Sequence, residues 1–196
     1  MRLYDKDIRE PLFDYLEEQY GTIRILEEKT AGKSRADVVM VSSKGLFGIE
    51  IKSDADTYAR LSRQVKDYDR CFDYNYLVAG TRHAYHVTEH VPDWWGIITV
   101  EREGDAIDFY TMRQPQPNPK VKLEAKVAML WRPELALIQR NHSLPAYKEK
   151  SKKFVQKKLL EKLTEEQLQQ ELIAILFERD YTMIEEEIRA WQKENR

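Results

Sequence analysis

Cysteine is nearly missing from this chain: Cys71 stands alone among 196 residues. One thiol excludes an intrachain disulfide framework and a zinc cage built on cysteines. Long apolar runs are absent too. No stretch approaches the roughly 20 residues that span a bilayer, and the opening MRLYDKDIRE lacks the apolar core of a secretion signal. Neither an integral membrane protein nor a secreted one is expected, and the reading is cytoplasmic with no membrane partner. Charge of one sign is not in excess, since 32 Lys+Arg face 34 Asp+Glu for a net charge of -2. What remains is 42% hydrophobic and 34% charged. Such a composition suits a folded core of one domain, with room for a short appendage, rather than a disordered chain.

The balanced total hides a division. Residues 1–112 carry 15 basic and 21 acidic side chains, residues 113–158 carry 12 and 3, and residues 159–196 carry 5 and 10. A basic segment between acidic flanks suits a local polyanionic partner such as nucleic acid. It equally suits a solvated connector.

Apolar spacing predicts the elements. Ile8, Leu12, Tyr15 and Leu16 fall at helical intervals over residues 4–19, with Asp5 as a cap and Pro11 as a reason for a break or a late start near Glu10. Residues 23–28 alternate as a strand, GKSR reads as a loop, and ADVVMV (36–41) and LFGIEIK (46–52) form a hairpin about the SSKG turn. A helix over 57–72 carries Leu61, Val65, Tyr68 and Phe72 on one face. NYLVAG (75–80) is a strand, residues 83–95 hold a short helix ending at Pro92, and GIITVER pairs with AIDFYTM around Glu103–Gly104. The proline-rich QPQPNP (114–119) marks a boundary. Helices are expected over 121–140, 150–163, 164–179 and 182–194, the last two opened by Thr164/Gln167 and Thr182/Glu185 capping boxes. The expected fold is therefore α/β, a mixed sheet flanked by helices over 1–113 with an α-helical C-terminal extension over 120–196.

One cluster has chemistry in it. With a tight turn at 42–45, Asp37 falls opposite Glu50, while Glu50 and Lys52, two apart, leave the same face and Ile51 the other. Two carboxylates and an ammonium then meet at one sheet end. Asp37 and Glu50 supply the oxygen ligands a hard cation such as Mg (or Mn) requires. Lys52 is placed to hold a water or offset charge in a phosphoryl transition state. A surface hairpin with a Glu/Lys pair and an unrelated Asp is the plain alternative. Against it, both acids sit in very apolar runs, where unpaired carboxylates are costly.

Asp37, then Glu50-Ile51-Lys52, then Gln64-Val65-Lys66-Asp67-Tyr68 resembles the PD-(D/E)XK nuclease superfamily, including the Q-x-x-x-Y helix of its RecB-like branch. The stretches DKDIREPL, SRADVVMV, GIEIKSDADTYARLSRQVKDYDRCFD, PDWWGII and AMLWRPELALI resemble a bacterial PD-(D/E)XK family akin to a damage-inducible DNA repair protein. Ala36-Asp37 stands at that motif's first proline-aspartate. The resemblance implies a restriction-endonuclease-like core and magnesium-dependent hydrolysis of DNA phosphodiesters. The alternative is a silent module that binds nucleic acid or protein. It implies Asp37 and Glu50 as metal ligands, with the Ile51 carbonyl as a third. Lys52 becomes the catalytic lysine, Gln64 its orienting partner, and Tyr68 a support. An extra acid is expected at Glu28 or Glu10.

Arg35, Arg60, Lys150, Lys152, Lys153 and Lys157 are the candidate nucleic-acid contacts, the lysines from the basic run YKEKSKKFVQKK (147–158). Asp54, Asp56, Arg60 and Arg63 either shape an entrance or are solvated residues or helix caps. His83, His86 and His90 share a face if their stretch is helical, though no fourth zinc ligand is evident. Trp94-Trp95 suits packing better than base stacking, Trp131 and Trp191 read as core, and Cys71 reads as a small buried hydrophobe. A homodimer is left open.

Overall fold

The computed structural model describes residues 2–104 and 106–179, with the backbone alone at residues 28–30. The expected helix over 182–194, with Trp191 and the Thr182/Glu185 box, lies outside the described residues.

Six strands form one sheet in chain order: β1 (Arg24–Ala31), β2 (Ser34–Ser42), β3 (Gly45–Lys52), β4 (Tyr74–Gly80), β5 (Gly96–Glu103) and β6 (Ala106–Arg113). The β1/β2, β2/β3 and β5/β6 pairs are antiparallel, whereas β3/β4 and β4/β5 are parallel. The expected mixed α/β architecture is thus observed. The two parallel pairings require crossovers. The first is made by α2 (Leu61–Cys71) after a 3-10 turn at Tyr58–Arg60, the second by α3 (Thr81–Ala84) and a second such turn at Val87–Glu89.

Every residue of β3 is buried, because both faces of the sheet are covered. On one face α1 (Asp5–Tyr20) buries Ile8, Leu12 and Leu16 against Val38, Met40, Phe47, Ile49 and Ile51. The opposite face gathers Leu61 and Tyr68 of α2 with α4 (Leu123–Ala128), α5 (Arg132–Asn141), α6 (Lys152–Lys162) and α7 (Glu165–Phe177) over Val39, Leu46 and Leu77. Helices beyond residue 120 therefore contribute Val155, Leu159, Leu168 and Leu172 to the same apolar cluster as the central strands.

Four local expectations are corrected. α1 runs unbroken through Pro11, because Ile8 and Leu12 on either side are both fully buried and hold the backbone helical despite the lost N–H. The residue that caps it is Tyr4, whose N–H donates to Asp7 Oδ2 at 3.0 Å, while Asp5 pairs with Arg9 instead. The single helix expected over 121–140 is two, since Pro133 starts α5 afresh and Glu134 accepts the Trp131 N–H at 2.6 Å. GKSR is a loop only at Gly32-Lys33, with Ser34 and Arg35 already in β2.

The helical layer is locked down through Asp73, just before β4. Its carboxylate accepts from Lys126 Nζ at 2.6 Å, Gln169 Nε2 at 3.0 Å and the Leu46 N–H at 2.9 Å, joining α4, α7 and β3. Gly48 allows α2's C-cap to seat on the sheet, since a Cβ there would lie 2.1 Å from the Phe72 ring. Replacing Asp73 by alanine strands the buried Lys126 ammonium, and a loss of about 3 kcal/mol is expected in urea denaturation. Midpoints unchanged from wild type would refute this role.

Candidate active site

Glu50 and Lys52 end β3 on the face covered by α2, and both are almost wholly buried, at 1% and 5% exposure. Their alternation with Ile49 and Ile51, which enter the α1-side core, is the two-residue period of a strand. Asp37 lies on β2 one step beyond the Val38/Ile49 pair, which puts it across from Glu50. Its Oδ2 accepts the Ile51 N–H at 2.9 Å.

Each oxygen of Glu50 is held. Lys52 Nζ donates to Oε1, as does Gln64 Nε2 at 2.5 Å, and the Tyr68 hydroxyl donates to Oε2 at 2.6 Å. Gln64 also accepts from Lys52 Nζ at 3.3 Å, so it bridges the acid and the amine. Gln64 and Tyr68 act together because four residues of helix place them on one face of α2. The Tyr68 hydroxyl further accepts the Asp37 N–H at 3.3 Å, tying both strands to the helix. All five expected catalytic residues, Asp37, Glu50, Lys52, Gln64 and Tyr68, are thus brought together.

Behind Tyr68 stands a second layer. Its ring packs against Trp95 at 5.5 Å, and the Trp94 and Trp95 indole N–H groups both donate to Asp69 Oδ1, at 3.1 and 2.8 Å. The tryptophan pair is packing, in the sense expected from the sequence.

Burial pushes the Asp37 carboxyl up to about 7, and the Glu50 charge adds to this, while the Ile51 N–H and Lys52 oppose it. Burial likewise raises the Tyr68 phenol well above its ordinary value, so it stays a donor to Glu50.

The remaining assigned residues scatter. Glu28 falls in β1 between Glu27 and Lys29, which pair with Val38 and Ala36, so its backbone flanks Asp37; its side chain is outside those described. Glu10 is exposed on α1. Arg35 and Arg60 are exposed, the former two residues before Asp37 and the latter closing the turn before α2. Among the lysines, Lys152 reaches the Ala128 carbonyl at 3.0 Å, Lys150 lies over the Phe154 ring, and Lys157 faces Glu161 on the outer side of α6, where Lys153 is also exposed. Asp54 and Asp56 are engaged in local backbone and side-chain hydrogen bonds. Asp54 accepts from the Leu3 and Arg82 N–H groups, and Asp56 from Ser53. His83 and His90 flank the Tyr58 ring while His86 turns to Glu89, so the histidines do not share a helix face. Cys71 is buried, its thiol pushed up to about 11 by burial. Trp131 corrects its assignment to the core: it is the half-buried N-cap of α5, covered by the Arg179 guanidinium at 4.0 Å.

The residue that sequence reasoning missed is Arg9. Its guanidinium donates to the Asp37 carbonyl at 3.1 Å, lies 3.9 Å from Asp37 Oδ1, and also meets Asp5 at 2.6 Å and Glu27 at 3.2 Å. The i, i+4 spacing of Asp5 and Arg9 is a visible cue for that helix pair, but nothing local points to Asp37.

A carboxyl raised in the folded state lowers stability once ionised, fully so above its folded value and not at all below its unfolded one. Asp37→Asn should therefore stabilise the fold at pH 8, by up to about 4 kcal/mol and with a higher Tm, and the gain should fade as pH drops from 7 toward 4. Thermal melts of both proteins across that range check this; a gain independent of pH would contradict it.

No sequence among curated proteins matches the chain. Among solved structures, SfsA of Pyrococcus furiosus in complex with Ca2+ is similar at 16% identity and a TM-score of 0.33. That match covers 57% of this chain and 60% of the other, so the chain spans about three fifths of SfsA's length. The family model described as Bacteriophage P4 protein cII matches residues 2–194, nearly the whole sequence, and the chain belongs to that family.

Proposed function

We propose that this protein is a divalent-metal-dependent nuclease hydrolysing DNA phosphodiesters, with a restriction-endonuclease-like core and a PD-(D/E)XK-type site. The observation that supports it most is the convergence of Asp37, Glu50 and Lys52 at one sheet end under Gln64 and Tyr68.

The donor set suits Mg2+ or Mn2+. Asp37 and Glu50 offer hard oxygens, with the Ile51 carbonyl and Glu28 as further candidates. Burial first, and the Glu50 charge after it, push the Asp37 carboxyl up, and a cation held between the two acids would oppose that push. When bound, such an ion supplies Lewis-acid activation of the phosphodiester and of water.

The chain's own residues do the rest. Lys52 carries a buried positive charge beside the acids, suited to offset negative charge that grows on phosphoryl oxygens during attack. Gln64 holds the Lys52 ammonium in direction, and Tyr68 holds the Glu50 carboxylate. Arg9 fixes the start of β2 by its bond to the Asp37 carbonyl. A second reading, a silent binding module, is favoured by one observation: both Glu50 oxygens are already engaged by protein donors. For catalysis, a cation would have to share Glu50 with these donors, of which Oε2 carries one and Oε1 two.

A plasmid-nicking assay decides between them. Wild type with Mg2+ or Mn2+ should nick, EDTA should stop it, and Lys52→Ala should lower the rate by about 10²-fold or more. Nicking that survives EDTA, or Lys52→Ala acting at the wild-type rate, would sink the proposal. Binding of DNA without nicking would favour the second reading.

A further inference from the structure

Two clefts lie side by side on the α2 face, away from the catalytic residues. The first has a volume of 680 Å3 and the second 640 Å3, and they share Arg70, Glu124 and Ala125 as a common wall, making one trough. Its charged lining is one-sided. Arg70, Lys120, Lys122, Lys152 and Arg179 face it, with Glu124 the one carboxylate among the described lining residues. Three of these cations are partly committed, Lys152 through its bond to the Ala128 carbonyl at 3.0 Å. Arg179 is paired with Glu134 at 2.7 Å, and Lys120 lies 3.6 Å from Asp69. Arg70 and Lys122 are exposed and line the trough.

Aromatic surface accompanies the charge. Trp131 lines the first cleft beneath Arg179. The trough is also tied to the catalytic end of the sheet by α2. Gln64 on that helix contacts Glu50 and Lys52, and Arg70 stands six residues further along it, about 9 Å of helix rise.

We propose that this trough is a track for single-stranded nucleic acid leading away from the catalytic end of the sheet. It rests on the nuclease reading for its choice of polyanion. A groove of cations with an indole in its wall takes a strand by its phosphates and by base stacking without reading sequence. The basic segment evident in the sequence is thereby divided. Lys120, Lys122 and Lys152 belong to the track together with Arg70 from outside that segment, while Lys153 and Lys157, on the outer side of α6, do not line it.

The test is fluorescence anisotropy of a short labelled oligodeoxynucleotide with the full chain, in EDTA so that no cleavage intrudes. Arg70→Glu/Lys122→Glu should weaken binding by at least about tenfold and make the salt dependence shallower by about one to two units of slope, roughly one for each phosphate no longer neutralised. Arg70→Lys/Lys122→Arg should retain binding, which separates lost charge from lost fold. Lys153→Glu/Lys157→Glu should bind like wild type. Any of four results overturns the track: the Arg70/Lys122 reversal binding normally, the Lys153/Lys157 reversal losing as much, a duplex of equal length binding more tightly, or polyglutamate displacing the strand as well as unlabelled oligonucleotide. Binding that depends on the trough in a protein that never nicks leaves the track standing and removes the nuclease. Nicking indifferent to the trough does the reverse.

Discussion

The Glu50 carboxylate sits at the carboxyl end of a strand buried on both faces, with 1% of its surface exposed. A carboxylate in that position is tolerable only if its oxygens are satisfied, since unpaired burial costs several kcal/mol. Three donors meet that demand, one from the same strand and two from α2. The helix cannot be moved without stranding the acid. For the same reason Tyr68 must keep its place, and with it the Trp95 and Asp69 that support its ring. Much of the α2-side packing follows from keeping one acid supplied with partners.

Topology explains why those groups meet. Because β3 and β4 run parallel, the chain has to cross over between them, and the crossover is α2. It leaves the end of β3 just after Lys52 and returns before β4, so its first turns lie over the strand end that bears Glu50 and Lys52. The antiparallel β2 brings Asp37 to the same end from the other side. Open α/β sheets commonly carry their sites at such carboxyl ends. Arg9 adds an approach from the opposite layer, joining α1 to Asp37 and Glu27.

Charge is organised on a larger scale by the helical layer. The lysines after residue 119 look equivalent in sequence, yet they meet different fates. Lys126 is buried and consumed by Asp73, Lys152 leans on the Ala128 carbonyl, and Lys157 and Lys158 turn to Glu161. Those facing a common trough do so because α4 packs beside α2 and α6 beside α4. Net charge by segment indicates that a cationic surface exists, but packing selects which ammonium groups make it.

The sequence alone determined the periodic features: the strand order, the hairpin that sets Asp37 across from Glu50, the shared face of Glu50 and Lys52, and the four-residue spacing of Gln64 and Tyr68. Each depends on backbone geometry over a few residues, so each can be read locally. Tertiary structure decided what local geometry does not reach. It kept α1 helical through Pro11, because burial of Ile8 and Leu12 outweighs one missing hydrogen bond. It set Arg9 against Asp37, 28 residues away. It made Asp73 a junction and sorted the lysines, because such contacts join residues distant in the chain, and only packing fixes which of the many compatible pairings forms.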